Sequence, residues 1–237
     1  GKWQTFDINS GTYGDYAGKM RPALQAVTRD RSLYIVYADG TEKLIAESEN
    51  ADITYGEFTS RNEFGITDGV FWSPDSTRIA FYRKDESKVT SFPLLDITTR
   101  TGSLKEIKYP MAGMDSENVQ LGIYDLESGE TVYADVDDFG YDRYLTNITW
   151  SPDASKIYIQ VLDRSQKHLK LNAYCSETGD CTGTLLTEDN DRYVEPVDPL
   201  YFIKGSADLF LYRTANRDGY RNLYLCDDQG NITRLTA

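Results

Sequence analysis

The chain has 237 residues, 40% of them hydrophobic and 13% aromatic, with 18 Tyr, 9 Phe and 3 Trp, and carries a net charge of −13. That length can bury one full core and calls for no second domain. The negative charge, unrelieved by any basic cluster, repels phosphate backbones and anionic bilayers and so excludes nucleic acid as a partner. No apolar run approaches the roughly 20 residues that cross a membrane, and residues 1 to 30 lack the basic-then-apolar layout of a secretory signal.

Aromatic enrichment with regular Gly-bearing turns predicts strands rather than helices. The first unit, about residues 23–48, is degenerate: Leu24 to Asp30, then Ser32 to Tyr37, a turn at Ala38-Asp39-Gly40, and Glu42 to Ile45. The second spans about 69–136. It opens on Phe71-Trp72-Ser73-Pro74-Asp75, continues into Arg78 to Tyr82, and later runs Leu121 to Leu126 through Ser128-Gly129-Glu130 into Thr131-Val132-Tyr133. The third, about 145–187, repeats the order. Thr149-Trp150-Ser151-Pro152-Asp153 leads into Lys156 to Gln160, then Leu171 to Tyr174, Thr178-Gly179-Asp180 and Thr184 to Leu186. The fourth, about 199–236, closes with Gln229-Gly230-Asn231 before Ile232 to Leu235.

Four short strands in a fixed, recurring order are the sequence signature of a β-propeller blade. The expected fold is therefore all-β, about four blades of a larger propeller, since the last unit has no evident partner to close a ring. The turns at Trp72 and Trp150 are spaced beyond the roughly 40 to 50 residues of one blade, which predicts an insertion. Residues 83–118 fit no strand template and carry Pro93, Gly102, Pro110 and Gly113. They are read as an ordered surface excursion, either functional or a packing flap.

Candidate chemistry is sparse. Cys175 and Cys181 flank a predicted hairpin, as a cross-strand disulfide or as two buried thiols; the bridge would imply an oxidising compartment. Cys226 stands alone. The single histidine, His168, sits at the entry to a strand and no Gly-x-Ser-x-Gly elbow is found, so a catalytic triad is not expected within this chain. The acidic groups Asp135, Asp137, Asp138, Asp142 and Glu188, Asp189, Asp191 lack the spacing of a calcium loop. Neither metal nor cofactor is expected. Asn147-Ile148-Thr149 and Asn231-Ile232-Thr233 match the glycosylation pattern, but inside predicted strands.

An ordered set of segments carries a family resemblance. Arg61-Asn62-Glu63-Phe64-Gly65-Ile66 precedes Gly69 to Pro74 and Ala80 to Glu86. Tyr109-Pro110-Met111-Ala112-Gly113, Leu145 to Pro152, Tyr193-Val194-Glu195-Pro196 and Arg217-Asp218-Gly219-Tyr220 follow in the same order. From about residue 23 onward the chain resembles the amino-terminal propeller of the dipeptidyl peptidase IV family, with the bacterial prolyl tripeptidyl peptidases nearest.

The resemblance implies an eight-bladed propeller capping a carboxyl-terminal α/β-hydrolase domain with Ser, Asp and His, a domain missing from this sequence. It implies a periplasmic or secreted serine exopeptidase acting after proline, with a homodimer as a further possibility. Glu63 would pair with the free amino terminus of a peptide substrate, with Asn62 and Arg61 beside it. Adjacent glutamates mark the dipeptidyl members; Asn62-Glu63 departs from that pattern and fits a tripeptidyl register better. The competing expectation is a standalone propeller module that binds a protein or ligand without catalysis.

Overall fold

The computed structural model describes residues 24–236, so the part of the single expected domain (1–237) that precedes Leu24 lies outside the described residues. In chain order, β1 (Gln25–Arg29), β2 (Ser32–Val36) and β3 (Glu42–Ala46) form a three-stranded sheet. β4 (Ile53–Tyr55), β5 (Val70–Trp72) and β6 (Arg78–Asp85) come next, followed by β7 (Ser91–Asp96), β8 (Ser103–Lys108), β9 (Asn118–Asp125) and β10 (Thr131–Tyr133). β4 and β5 both pair with β6, which pairs with β9 and β9 with β10, whereas β7 and β8 pair only with each other.

β11 (Arg143–Trp150), β12 (Lys156–Asp163), β13 (His168–Cys175) and β14 (Cys181–Asp189) form a third sheet. β15 (Tyr201–Phe202), β16 (Leu209–Thr214), β17 (Asn222–Asp227) and β18 (Ile232–Arg234) form a fourth. All pairings are antiparallel. The chain is all-β: among the described residues the one helical element is a short 3-10 turn, Ser60–Gly65.

The two Ser-Pro-Asp turns are built alike. Ser73 Oγ donates to Asp75 and accepts the Arg78 amide, while Asp75 accepts the Thr77 amide. Ser151, Asp153, Ser155 and Lys156 repeat these bonds. The hydroxyl and carboxylate satisfy amides that the turn withholds from the ladder, which is why the same residue types recur at both positions.

Alternation along the central strands stacks the sheets. In β6, Ile79 and Phe81 enter the core shared with the first sheet, while Ala80 and Tyr82 enter the core shared with the third. In β12, Ile157, Ile159 and Val161 face back toward the second sheet; Tyr158 and Leu162 join Phe210 and Tyr212 of the fourth. A strand buried on both faces reads as a continuous apolar run, as Lys156–Asp163 does.

Hydrogen bonds cross the same seams: Trp150 Nε1 donates to the Phe71 carbonyl at 3.0 Å, and the Tyr82 hydroxyl to the Leu145 carbonyl at 2.7 Å. The hairpin glycines complete the stacking. A Cβ on Gly179 would lie 2.1 Å from the Tyr133 carbonyl oxygen, and one on Gly230 2.7 Å from that of Leu185. Each hairpin tip thus presses on the outer strand of the preceding sheet, at a positive φ that favours glycine.

The structure moves two boundaries. The second sheet gains β4, ahead of the expected start at residue 69. β6 runs to Asp85 and β9 begins at Asn118, so the inserted segment is 86–117, and it holds the β7–β8 hairpin of its own. Charge hid the end of β6: Arg83 and Lys84 do not read as strand, yet they pair with Tyr55 and Thr54 on one side and Gln120 and Val119 on the other. Glu49, Glu57 and Glu86 answer their charges.

Replacing Tyr82 by Phe keeps the buried ring and removes only the bond to Leu145. We expect a loss of about 1 to 2 kcal/mol in urea unfolding with no change of slope.

Candidate functional site

The segment carrying Arg61, Asn62 and Glu63 is an excursion from the edge of the second sheet, between β4 and β5. Its two ends meet on one residue of β6. The Gly56 amide donates to the Tyr82 carbonyl and the Tyr82 amide donates to the Gly69 carbonyl, both at 2.9 Å. Gly69 makes the closure feasible, because a Cβ there would stand 2.2 Å from the Glu57 carbonyl carbon and 2.3 Å from its oxygen. A loop with its ends held together in this way is a compact surface loop of the kind that often carries function.

Within it the backbone is strained. Ser60, Arg61, Asn62 and Phe64 have φ of 53°, 52°, 65° and 55°, in the left-handed region, and Gly65 follows at 74°. Glu63 alone is extended, with φ −63° and ψ 158°. Asn tolerates the left-handed region; Ser, Arg and Phe each lose about 1 kcal/mol or more there. Such a segment persists only where its surroundings over-determine it, and here they do. Thr59 is buried, Ile66 joins the core between the second and third sheets, and the Phe64 ring packs 4.8 Å from the Tyr144 ring. The Ser60 amide donates to Glu117 Oε1 at 2.7 Å, and the Ile66 amide to the Glu63 carbonyl at 3.1 Å.

Behind Phe64 lies a polar group. Arg164 donates from Nη1 to the Tyr144 hydroxyl at 2.5 Å and stands 3.7 Å from Asp142, which accepts from Ser116. Burial pushes the Tyr144 phenol up and Arg164 counters it.

The three predicted residues differ in their surroundings. The Arg61 guanidinium lies over the Tyr109 ring, 4.2 Å from its centroid, and donates to the Lys108 carbonyl at 2.9 Å. The Asn62 amide donates to the Thr59 carbonyl at 3.3 Å. Glu63 is exposed, and among the described residues no side chain answers its carboxylate. The nearby glutamates are engaged: Glu49 by Tyr55 and Arg83, Glu57 by Lys84, Glu117 by the Ser60 amide.

A cavity of about 270 Å³ opens close by, lined by Arg192, Tyr193, Val197, Arg213, Asn216 and Arg221. It adjoins the loop, since the Val197 carbonyl oxygen lies 3.5 Å from where a Gly65 Cβ would stand. Asp198 and Glu195 match Arg213 and Arg221. Sequence reading missed Glu117, Tyr144 and this cavity, whose residues are far apart in the chain.

The remaining candidates resolve differently. Cys175 and Cys181 are free thiols, the first half-buried and the second exposed, so the structure shows neither the cross-strand bridge nor the pair of buried thiols. The register is the reason: Cys181 stands opposite Tyr174, and alternation turns Cys175, one residue on, to the other face. A hydrogen bond from Thr178 holds the Cys175 thiol below its ordinary range, whereas burial pushes Cys226 up to about 12. His168 is the exposed cross-strand neighbour of Asp189, whose carboxylate lies 2.6 Å from its Nδ1 and raises its pKa.

In the acidic groups, Asp138 meets Lys170 and Asn172, Asp142 meets Arg164, and Glu188 accepts from Thr214 and Asn216. Among the described residues no three His, Cys, Asp or Glu side chains are grouped to hold a metal.

The described residues form stacked antiparallel sheets of three to five strands, with a two-stranded ribbon and a tightly tied loop that bears an exposed carboxylate. Residues 22–237 match the family described as the dipeptidyl peptidase IV (DPP IV) N-terminal region, and the chain belongs to that family. It is similar to a crystal structure from Bacteroides ovatus described as a dipeptidyl aminopeptidase IV, at 39% identity and a TM-score of 0.83, over 91% of this chain and 32% of that one. The dipeptidyl peptidase 4 of Porphyromonas gingivalis gives 26% identity and a TM-score of 0.80 over 90% and 31%. The dipeptidyl-aminopeptidase B of Aspergillus niger is 29% identical over 201 residues, 75% of this chain and 22% of that protein. The chain thus spans between a fifth and a third of the length of these three relatives.

Replacing Gly69 by Ala forces the loop ends apart. Stability should fall by about 1 to 3 kcal/mol or more in chemical denaturation, a loss that comes from the close approach alone because Gly69, unlike the open position Gly113, does not lie at positive φ.

Proposed function

We propose that this chain is the substrate-gating propeller portion of a serine exopeptidase that releases short peptides after proline, with Glu63 as the anchor for the substrate's amino terminus. The observation that carries this reading is the unanswered carboxylate of Glu63, held on a strained, tightly braced loop whose neighbouring glutamates are all engaged. Strain maintained by packing is a pointer to function. A fixed carboxylate binds an ammonium through charge-assisted hydrogen bonds, and its distance from the nucleophile counts residues from the peptide end.

The nucleophile, base and acid would come from an α/β-hydrolase portion outside this sequence, and no cofactor enters the scheme. The third and fourth sheets read as complete four-stranded blades of an eight-bladed propeller, and the first and second as modified ones. The adjoining cavity offers room for substrate side chains. The relatives' names speak of dipeptidyl release, while the single Glu63 after Asn62 supports a tripeptidyl register; product lengths read by mass spectrometry on Xaa-Pro and Xaa-Xaa-Pro peptides decide between them. A periplasmic or secreted location rests on the resemblance alone.

In the full-length protein, Glu63→Gln keeps shape and removes charge. We expect kcat/KM for free-amino peptides to fall roughly ten- to a hundredfold, the equivalent of about 1.5 to 3 kcal/mol, with N-blocked peptides little affected. Unchanged turnover of free-amino peptides would reduce Glu63 to an ordinary loop carboxylate, and no turnover by the full-length protein would favour the standalone binding module.

The homodimer has its own support. The β7–β8 hairpin is an isolated two-stranded ribbon, marginal on its own, and it exposes Leu95, Ile97 and Leu104 at 67%, 79% and 73%. A second copy of the chain would cover them and the ribbon's edges. Leu95→Asp with Leu104→Asp should convert a dimer to a monomer in light scattering; an unaltered mass would remove the hairpin from the interface.

A further inference from the structure

The inserted segment reaches the Glu63 loop at two points. At the end of β8, Tyr109 and the Lys108 carbonyl receive the Arg61 guanidinium at 4.2 Å and 2.9 Å. Just before β9, the Glu117 carboxylate receives the Ser60 amide at 2.7 Å. The receiving side is itself fixed. Lys108 Nζ reaches Asp52 at 3.0 Å and the Val89 carbonyl at 3.2 Å, and the Tyr109 amide donates to the Thr90 carbonyl at 3.0 Å. Both contacts land on left-handed residues, Ser60 and Arg61, whose conformation the local chain disfavours.

We propose that Arg61 is a positioning residue: it clamps the Glu63 loop to the base of the β7–β8 hairpin, with Glu117 as the second jaw, and does not itself hold substrate. The inference rests on the anchoring role of Glu63. A guanidinium with one face on a ring and a donor committed to a carbonyl is poorly placed to fork a substrate carboxylate. Its geometry suits bracing: stacking fixes the side chain laterally, and the hydrogen bond fixes its reach. Without the clamp, residues 60–62 relax toward ordinary dihedrals and the extended Glu63 loses its fixed direction.

The test uses the full-length protein. Arg61→Ala is expected to raise KM for free-amino peptides about tenfold with kcat nearly unchanged. Tyr109→Leu should reproduce this, and Tyr109→Phe, which keeps the ring face, should not. In a Glu63→Gln background, Arg61→Ala should add nothing, because the group it positions is already lost. Hydrogen exchange across residues 59–66 should rise in Arg61→Ala while exchange in the third and fourth sheets stays constant. An Arg61→Ala effect that adds fully to that of Glu63→Gln would mean direct contact with substrate, and unaltered exchange across 59–66 would mean no clamp; either overturns the proposal. If Glu63→Gln alone has no effect, the anchoring role falls, and the exchange measurement decides the clamp by itself.

Discussion

Tyr82 is the residue on which most of this arrangement depends. Its backbone amide and carbonyl hold the two ends of the Glu63 loop, its ring meets Phe71 edge-on at 5.3 Å, and its hydroxyl crosses to the backbone of the third sheet. Burial pushes the phenol far above its ordinary range, which favours the protonated hydroxyl that donates to Leu145. One side chain therefore joins the loop closure to the stacking of two sheets. The loop cannot shift relative to the third sheet without breaking a buried hydrogen bond.

That coupling rests on a wider rule of the fold. The middle strands β6 and β12 are buried on both faces, and alternation sends successive side chains into different inter-sheet cores. A one-residue slip would exchange the two faces throughout, so the register is strongly held. Loops on the sheet edges inherit that rigidity where they are tied down. The Glu63 loop is tied by Phe64, Ile66, Ser60 and Arg61, each to a different partner.

Much of this was legible in the chain, because the signals are local. The Ser-Pro-Asp turns encode their own hydrogen bonds, and the hairpin glycines mark positive φ. The strand at Lys156 to Gln160 follows directly from its turn, though its burial on both faces was not read from it. What escaped reading depends on contacts between distant residues. Arg83 and Lys84 look like the end of a strand until Glu49 and Glu57 are seen to meet them. The β7–β8 hairpin contains Pro93 and few buried side chains, so neither periodicity nor turn chemistry declares it. The left-handed dihedrals at Ser60, Arg61 and Phe64 have no signature at all, because packing imposes them against local preference. Cys175 and Cys181 were correctly placed on a hairpin, but their spacing could not reveal which face each thiol takes.

The charge of the chain bears on the proposed anchoring. A domain at −13 repels the carboxylate end of an approaching peptide and attracts its ammonium end. The other glutamates around the loop are matched by lysine, arginine or a backbone amide, which leaves the Glu63 carboxylate unmatched. Steering by the whole domain and capture by one carboxylate would then act in the same direction, presenting a peptide amino end first. The field acts over roughly a Debye length, about 8 Å at physiological ionic strength, and weakens with salt, whereas an ion pair at Glu63, exposed in this chain, would be screened much less once the hydrolase portion proposed outside this sequence encloses it. On this reading, orientation during approach is the salt-sensitive part of recognition and the register of cleavage is the salt-resistant part, because register depends on where the strained loop holds a single side chain.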